Sequence, residues 1–399
     1  MLGMANDASA DDPNLDQWPP DTSGPAPGAD VEELASFYRY LADAEFDGYC
    51  DLYAVLARAI ADDRALLDRV VTLAPAAKVI PILLFAAVHD LVLADPDAPL
   101  AAIYRGGPGD PWPAFRSVLD ERFDELATLV ANRTIQTNEV GRAAVLVPAL
   151  RTVHHATTRP LALVEIGPSA GLNLLLDRFG YRYGLPDGTT LATGDPASPV
   201  QLTCEVRGPL SPPLHTTAPP IASRQGIDLS PVDVTDPVAC RWLEACVWPL
   251  VPDRADRLRA ALDLARRDVP LLHRGGALDL LVEVIGALPD DVVPVVLSTW
   301  VLAYFSPDDR LEVGRVLDAI GATRDLALIT GEYPSIAPFV DRPDRDATGK
   351  DGQGASLLGR STWIVGNRES RPIAWTHAHG RWIDWLDEPS SAGPSGADT

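Results

Sequence analysis

Apolar residues between positions 31 and 156 recur at spacings of three and four, as in Leu34-Phe37-Tyr38-Leu41 and Tyr53-Leu56-Ala57-Ile60, so each set lines one face of a helix. Asp30 stands where its side chain would cap the first of these helices. Further helical segments are predicted around 79–92, 115–130 and 139–154, separated by breaks such as Arg105-Gly106-Gly107-Pro108-Gly109. No strand is predicted before position 160.

The pattern then changes. Pro160-Leu161-Ala162-Leu163-Val164-Glu165-Ile166 is a short apolar run that ends at a glycine turn, and the helix-like Leu172-Asn173-Leu174-Leu175-Leu176-Asp177 follows it, which is the signature of a buried parallel strand entering a helix. Residues 180–226 are rich in Pro, Gly and Thr and hold two alternating segments, 181–183 and 200–206, which predict an inserted β-hairpin. A strand end is expected at Gly226-Ile227-Asp228, buried strands at 292–297 and 326–330, and helices within 237–267 and 308–320. Segments 361–365 and 373–376 read as a closing antiparallel pair, and no internal repeat is present. The expected organisation is a tail over 1–30, a helical domain over 31–156, an α/β domain over 157–388 with its insertion at about 180–225, and a second tail over 389–399.

Composition narrows the partners. A hydrophobic content of 46% in 399 residues supports a sizeable core, and a formal net charge of -23 repels the phosphates of nucleic acid and anionic lipid, so neither is an expected partner. Cys50, Cys204, Cys240 and Cys246 have no spacing suited to a zinc site or a disulfide framework and read as reduced thiols; no metal is expected. The first thirty residues lack the positive start and apolar stretch of a secretory signal, and the longest uncharged apolar stretch, 292–307, is too short to span a bilayer. A cytoplasmic protein acting on a small molecule is the expectation, with the oligomeric state left open.

The chemistry centres on Glu165-Ile166-Gly167-Pro168-Ser169-Ala170-Gly171. A strand that ends in a glycine turn places unpaired N–H groups at the carboxyl edge of a sheet, where a polar ligand can dock. The segment resembles the first motif of class I S-adenosylmethionine-dependent methyltransferases, with Ser169 in place of the middle glycine. That resemblance implies a Rossmann-like, mostly parallel sheet and S-adenosylmethionine as cofactor, with Glu165, Gly167, Ser169, Gly171 and Asn173 in contact with it. Gly226-Ile227-Asp228 resembles the second motif of the class and implies that Asp228 binds the ribose, while Asp279, after His273-Arg274-Gly275-Gly276, would lie near the adenine. Leu297-Ser298-Thr299-Trp300 would face the transfer site, with Ser298 as a substrate contact. The same letters also satisfy G-x-S-x-G, the nucleophile elbow of α/β-hydrolases, with Ser169 as nucleophile, Glu332 or Asp341 as acid and His377 or His379 as base. The almost wholly helical region before Leu161 disagrees with that topology. G-x-G-x-x-G, the nicotinamide-enzyme pattern, is absent.

Thr137-Asn138-Glu139-Val140-Gly141-Arg142 brings an amide, a carboxylate and a guanidinium together ahead of the α/β domain. These groups would recognise a polar substrate, or would form a helix cap at Asn138 with Arg142 paired to Glu139. His89-Asp90 reads as a satisfied core pair and His154-His155 as a helix end. Together with Gln136 to Arg142, Val164 to Asn173, Gly226-Ile227-Asp228, Trp242-Leu243 and Val247-Trp248-Pro249, the chain resembles an uncharacterised family from actinobacteria and haloarchaea, domain of unknown function 2332. The resemblance implies that Asn138, Glu139 and Arg142 face the site. The leading expectation is a methyltransferase for a small or mid-sized polar acceptor, with Glu139 as catalytic base and Asn138, Arg142 and Ser298 on the acceptor. A serine hydrolase using Ser169 and a ligand-binding protein without catalysis are the alternatives.

Overall fold

A computed structural model describes residues 30–73, 80–215, 218–348 and 355–387. The expected tails lie outside these apart from Asp30. The chain forms two compact units, Met1–Thr137 with Asp236–Ala255, and Asn138–Thr235 with Asp256–Thr399.

The first unit is helical. Asp30 caps helix Val31–Leu41, its Oδ1 accepting from the N–H groups of Glu32 and Glu33 at 2.8 and 3.0 Å. Helix Ile80–Ala94 is apolar on nearly all sides, and so it is enclosed by the others, with Phe85 stacked on Tyr53 at 4.3 Å between ring centroids. His89 and Asp90 are each satisfied, but by other residues: His89 Nδ1 lies 3.1 Å from the Ala245 carbonyl and Asp90 takes Arg241 at 2.9 and 3.1 Å. The segment expected as one helix over 115–130 is two, Pro111–Glu121 and Phe123–Asn132. The buried positions Phe115, Leu119, Leu126 and Val130 keep helical spacing across the break at Arg122, and no Gly or Pro marks it. Asp236–Ala255 also packs in this unit, with Trp242 Nε1 donating to the Thr134 carbonyl at 2.9 Å.

The second unit is an α/β fold on a mostly parallel eleven-stranded sheet. Its strands are β1 Leu161–Ile166, β2 Gly180–Gly184, β3 Thr190–Gly194, β4 Gln201–Arg207, β5 Ile221–Asp228, β6 Leu271–Arg274, β7 Val293–Thr299, β8 Leu326–Glu332, β9 Ala355–Ile364, β10 Asn367–His377 and β11 Trp382–Trp385. They lie in the order β3-β2-β4-β11-β10-β9-β8-β7-β1-β5-β6. Strands β6, β5, β1, β7 and β8 are parallel neighbours, so the chain leaves β1 in one direction to build β5 and β6 and later crosses it to add β7 and β8. The carboxyl ends of β1 and β7 therefore flank a topological switch point, the crevice where open α/β sheets bind ligands. Strand β1 is buried at every position, as a central parallel strand must be. Helices Ala277–Gly286 and Pro307–Gly321 cover one face through Leu281 and Leu317 against Val164, Val296 and Leu328.

The expected hairpin is differently paired. Segments 181–183 and 200–206 belong to β2 and β4, which are parallel (Tyr181 opposite Leu202), and the antiparallel partner of β2 is β3 across the Asp187-Gly188 turn. Strand β3 is mostly exposed and carries little apolar alternation, so its sequence gave no strand signal. The closing pair is present as β9 and β10. Gly321 lets the Trp363 indole lie against the end of its helix, and a Cβ there would overlap the ring. Gly321→Ala is expected to cost roughly 1–3 kcal/mol by overpacking, read as a lower urea midpoint at unchanged m-value.

Candidate functional site

The carboxyl edge of β1 is shaped by left-handed backbone. Gly167 (φ +67°), Ser169 (φ +54°) and Gly171 (φ +71°) form the turn, and a Cβ on Gly167 would stand 2.5 Å from Val301 Cγ2, so both conformation and space require glycine there. Gly226 similarly admits Pro168 against β5. Asp228, at the end of β5, holds the turn: Oδ2 accepts from Ser169 N at 2.8 Å and Oδ1 from Ser230 N at 2.7 Å. The helix expected after the turn is a 3-10 helix, Leu172–Arg178, broken at Leu175; Leu172, Leu174, Leu175 and Leu176 are all buried, so its side chains serve the core.

Glu165 is 3% exposed on β1, flanked in register by Gly226 of β5 and Leu297 of β7. Burial raises its carboxyl to about 8, with Asp228 adding to the shift and Arg142 and a hydrogen bond from Asn173 opposing it. Glu165 Oε2 and Asn173 Oδ1 are buried acceptors with no hydrogen-bond donor among the described residues. Such atoms carry a desolvation cost that a donor from a ligand would relieve.

Arg142, from the 3-10 turn Val140–Arg142, is 8% exposed and donates through Nε to the Ala378 carbonyl at 3.0 Å and through Nη1 to the Thr299 carbonyl at 3.1 Å. Burial lowers its pKa, opposed by the fields of Glu139, Glu332, Tyr304 and Glu165. One cation thus faces three buried carboxylates. The cap is made by Glu139 where Asn138 was the expected residue: its Oε1 accepts from Gly141 N at 3.0 Å and from Arg257 at 3.3 Å. Asn138 Nδ2 is buried and has no partner among the described residues. Gly141 and Gly380 meet backbone to backbone, each leaving no room for a Cβ on the other's side.

At β7 the fully buried Ser298 gives its hydroxyl to Glu332 Oε1 at 2.9 Å, and the same oxygen accepts from Val301 N at 3.0 Å and Leu302 N at 3.1 Å. Ser298 therefore anchors the loop after β7. Burial raises the Glu332 pKa against these three donors and Arg142. Asp279 is exposed in the first turn of helix Ala277–Gly286. His377 accepts through Nδ1 from His379 N at 2.9 Å. Glu332 and Arg257, which complete the charge cluster, gave no signal as its members, because neither stands near Glu139, Arg142 or Glu165 along the sequence.

The second unit is an α/β fold with buried carboxyl groups gathered at a switch point of its sheet. The chain belongs to the family described as "uncharacterized protein conserved in bacteria", DUF2332, whose profile matches residues 35–385. No curated protein matches the sequence. Among the described residues no helix is long and apolar enough to cross a membrane.

Proposed function

We propose that the chain binds S-adenosylmethionine at the carboxyl ends of β1 and β5 and transfers its methyl group to a small or mid-sized polar acceptor. The observation that carries the reading is the pair of donor-less acceptors, Glu165 Oε2 and Asn173 Oδ1, at the end of the central strand. They fit an amino group, which donates and is cationic. The strand order supports the reading: β1, β5, β6, β7 and β8 run 3-2-1-4-5 among themselves, the order of the Rossmann sheet. Gly167 and Gly171 admit a ligand to the turn, and Asp228 fixes that turn while presenting a carboxylate beside it. When bound, the sulfonium supplies an activated methyl group. The chain's own part is to hold the cofactor's amino group at Glu165, keep the edge rigid, exclude water and align the acceptor, with Glu139 as the candidate base.

Because Glu165 titrates near 8, it is mostly protonated at pH 7, and a cationic amino group must displace that proton. Calorimetric titration with S-adenosylmethionine and its demethylated product is expected to show proton release at pH 7, read as a heat that varies with buffer ionisation enthalpy, and affinity that rises from pH 6 toward pH 8 and falls above it as the amino group loses its own proton. Glu165→Gln should lose both. Absence of binding at millimolar ligand would sink the reading.

Ser169 favours a second reading, since a left-handed serine between strand and helix is what a nucleophile elbow requires. Labelling by a fluorophosphonate, abolished in Ser169→Ala, is the result that would move the assignment to a hydrolase.

A further inference from the structure

Two residues other than glycine take left-handed backbone at the switch point: Ser169 after β1 and Trp300 after β7, with φ of +54° and +57°. For a residue as bulky as tryptophan this conformation is costly, and it persists where the surroundings impose it. Here Trp300 N donates to the Gly331 carbonyl at 3.0 Å, and the residues that follow are held by Glu332 through Val301 and Leu302. The loop therefore fixes the direction of the indole before any ligand arrives.

Around that ring the edge is aromatic. Tyr333 stands at 75° to Trp300 with centroids 4.4 Å apart, the Arg142 guanidinium lies 5.9 Å from the Trp300 centroid, and Tyr304, one turn along the same loop, is 85% exposed. Trp300 itself is only partly covered. Arg142 already supplies a cation to the ring, so a second cation would share a weakened quadrupole and meet a like charge beyond it. A flat, uncharged or anionic ring has no such conflict, and it gains by stacking on the indole with its edge against Tyr333.

We propose that Trp300 and Tyr333 form the platform on which a planar aromatic acceptor stacks. The platform gives the methyl-transfer reading its substrate class, and that role rests on the reading, whereas the stacking itself does not.

The test titrates 8-hydroxyquinoline and indole into the full chain, with cyclohexanol as a non-planar control and choline as a cationic one. Wild type is expected to bind both aromatic probes saturably and neither control. Trp300→Leu should weaken aromatic binding by roughly tenfold or more, and Trp300→Phe by much less, since a ring is kept. Should Trp300→Leu fail to unfold as cooperatively as wild type, Tyr333→Leu takes its place with a smaller expected loss. Equal binding by wild type and the leucine variants would overturn the proposal, as would saturable choline binding that Trp300→Leu removes. Titration of each variant with the demethylated cofactor separates the two ideas. Aromatic binding without cofactor binding defeats methyl transfer and leaves the platform standing, and cofactor binding without aromatic binding defeats only the platform.

Discussion

Glu165→Gln is expected to stabilise the protein at alkaline pH while it removes the ligand. The carboxyl titrates near 8 in the folded chain against 4.5 for its ordinary value, because burial penalises the charged form more than Arg142 and Asn173 favour it. Between those values the folded state holds a proton that the unfolded chain has released, so stability falls as pH rises from 4.5 and levels off above 8. At about 1.4 kcal/mol per unit the full loss is on the order of 4–5 kcal/mol. Glutamine stays neutral throughout and brings a donor beside Asn173 Oδ1, which lacks one. Urea unfolding of both proteins at pH 5 and pH 8.5 isolates the effect, since the other titrating groups cancel in the difference. A difference that does not grow between those pH values would mean that the Glu165 carboxylate is solvated.

Arg142→Met is the second large effect, in the opposite direction. The substitution keeps apolar length but strips the donors from the Thr299 and Ala378 carbonyls and removes a cation whose field acts on Glu139, Glu165 and Glu332, leaving Arg257 on Glu139 alone. Removing one partner from a buried charge cluster costs about 3–5 kcal/mol. Arg142→Lys should rescue little, because one ammonium lacks the fork that reaches two carbonyls in different directions. At pH 8.5, where Glu165 is largely ionised, combining Arg142→Met with Glu165→Gln should cost less than the sum of the two effects, since the double variant no longer buries that unpaired carboxylate. A loss below about 1 kcal/mol in Arg142→Met would show that water already compensates these carboxylates.

Much of the parallel core was legible because β1, β7 and β8 are short apolar runs and β5 ends in Gly226-Ile227-Asp228. Strands β1, β5, β7 and β8 and helix Pro307–Gly321 fall where periodicity put them. Strands β3 and β11 were not legible. The first is mostly exposed, and the second is four residues, Trp382–Trp385, too short to show alternation. The site divides in the same way. Glu165, Asn173 and Asp228 belong to contiguous motifs and could be found by reading along the chain. The Arg142 cluster draws on Glu139, Glu165 and Glu332 from three separate segments, and only the folded chain brings them together. Local pattern also assigned the cap to Asn138, because the Asn-Glu pair offers two adjacent candidates and the backbone at Glu139 decides between them.

The position of β11 has a consequence for how the chain is assembled. Strand β11 is paired to β4 on one side and β10 on the other, so among the described residues strand pairing joins β2, β3 and β4 to the rest of the sheet only through it. Those three strands are translated before residue 208, yet their link to the sheet is not synthesised until Trp385. During synthesis they can pack on helix Ala143–Thr157, through Arg151 to Thr193 and Tyr183 to the Ala144 carbonyl, but they keep an open edge on β4, which is the kind of edge that recruits wrong partners. Closure of this sheet therefore waits for β11, and a ribosome-stalled chain that stops short of Trp382 should hold β1, β5 and β7 in protease-resistant form while β2, β3 and β4 remain cleavable.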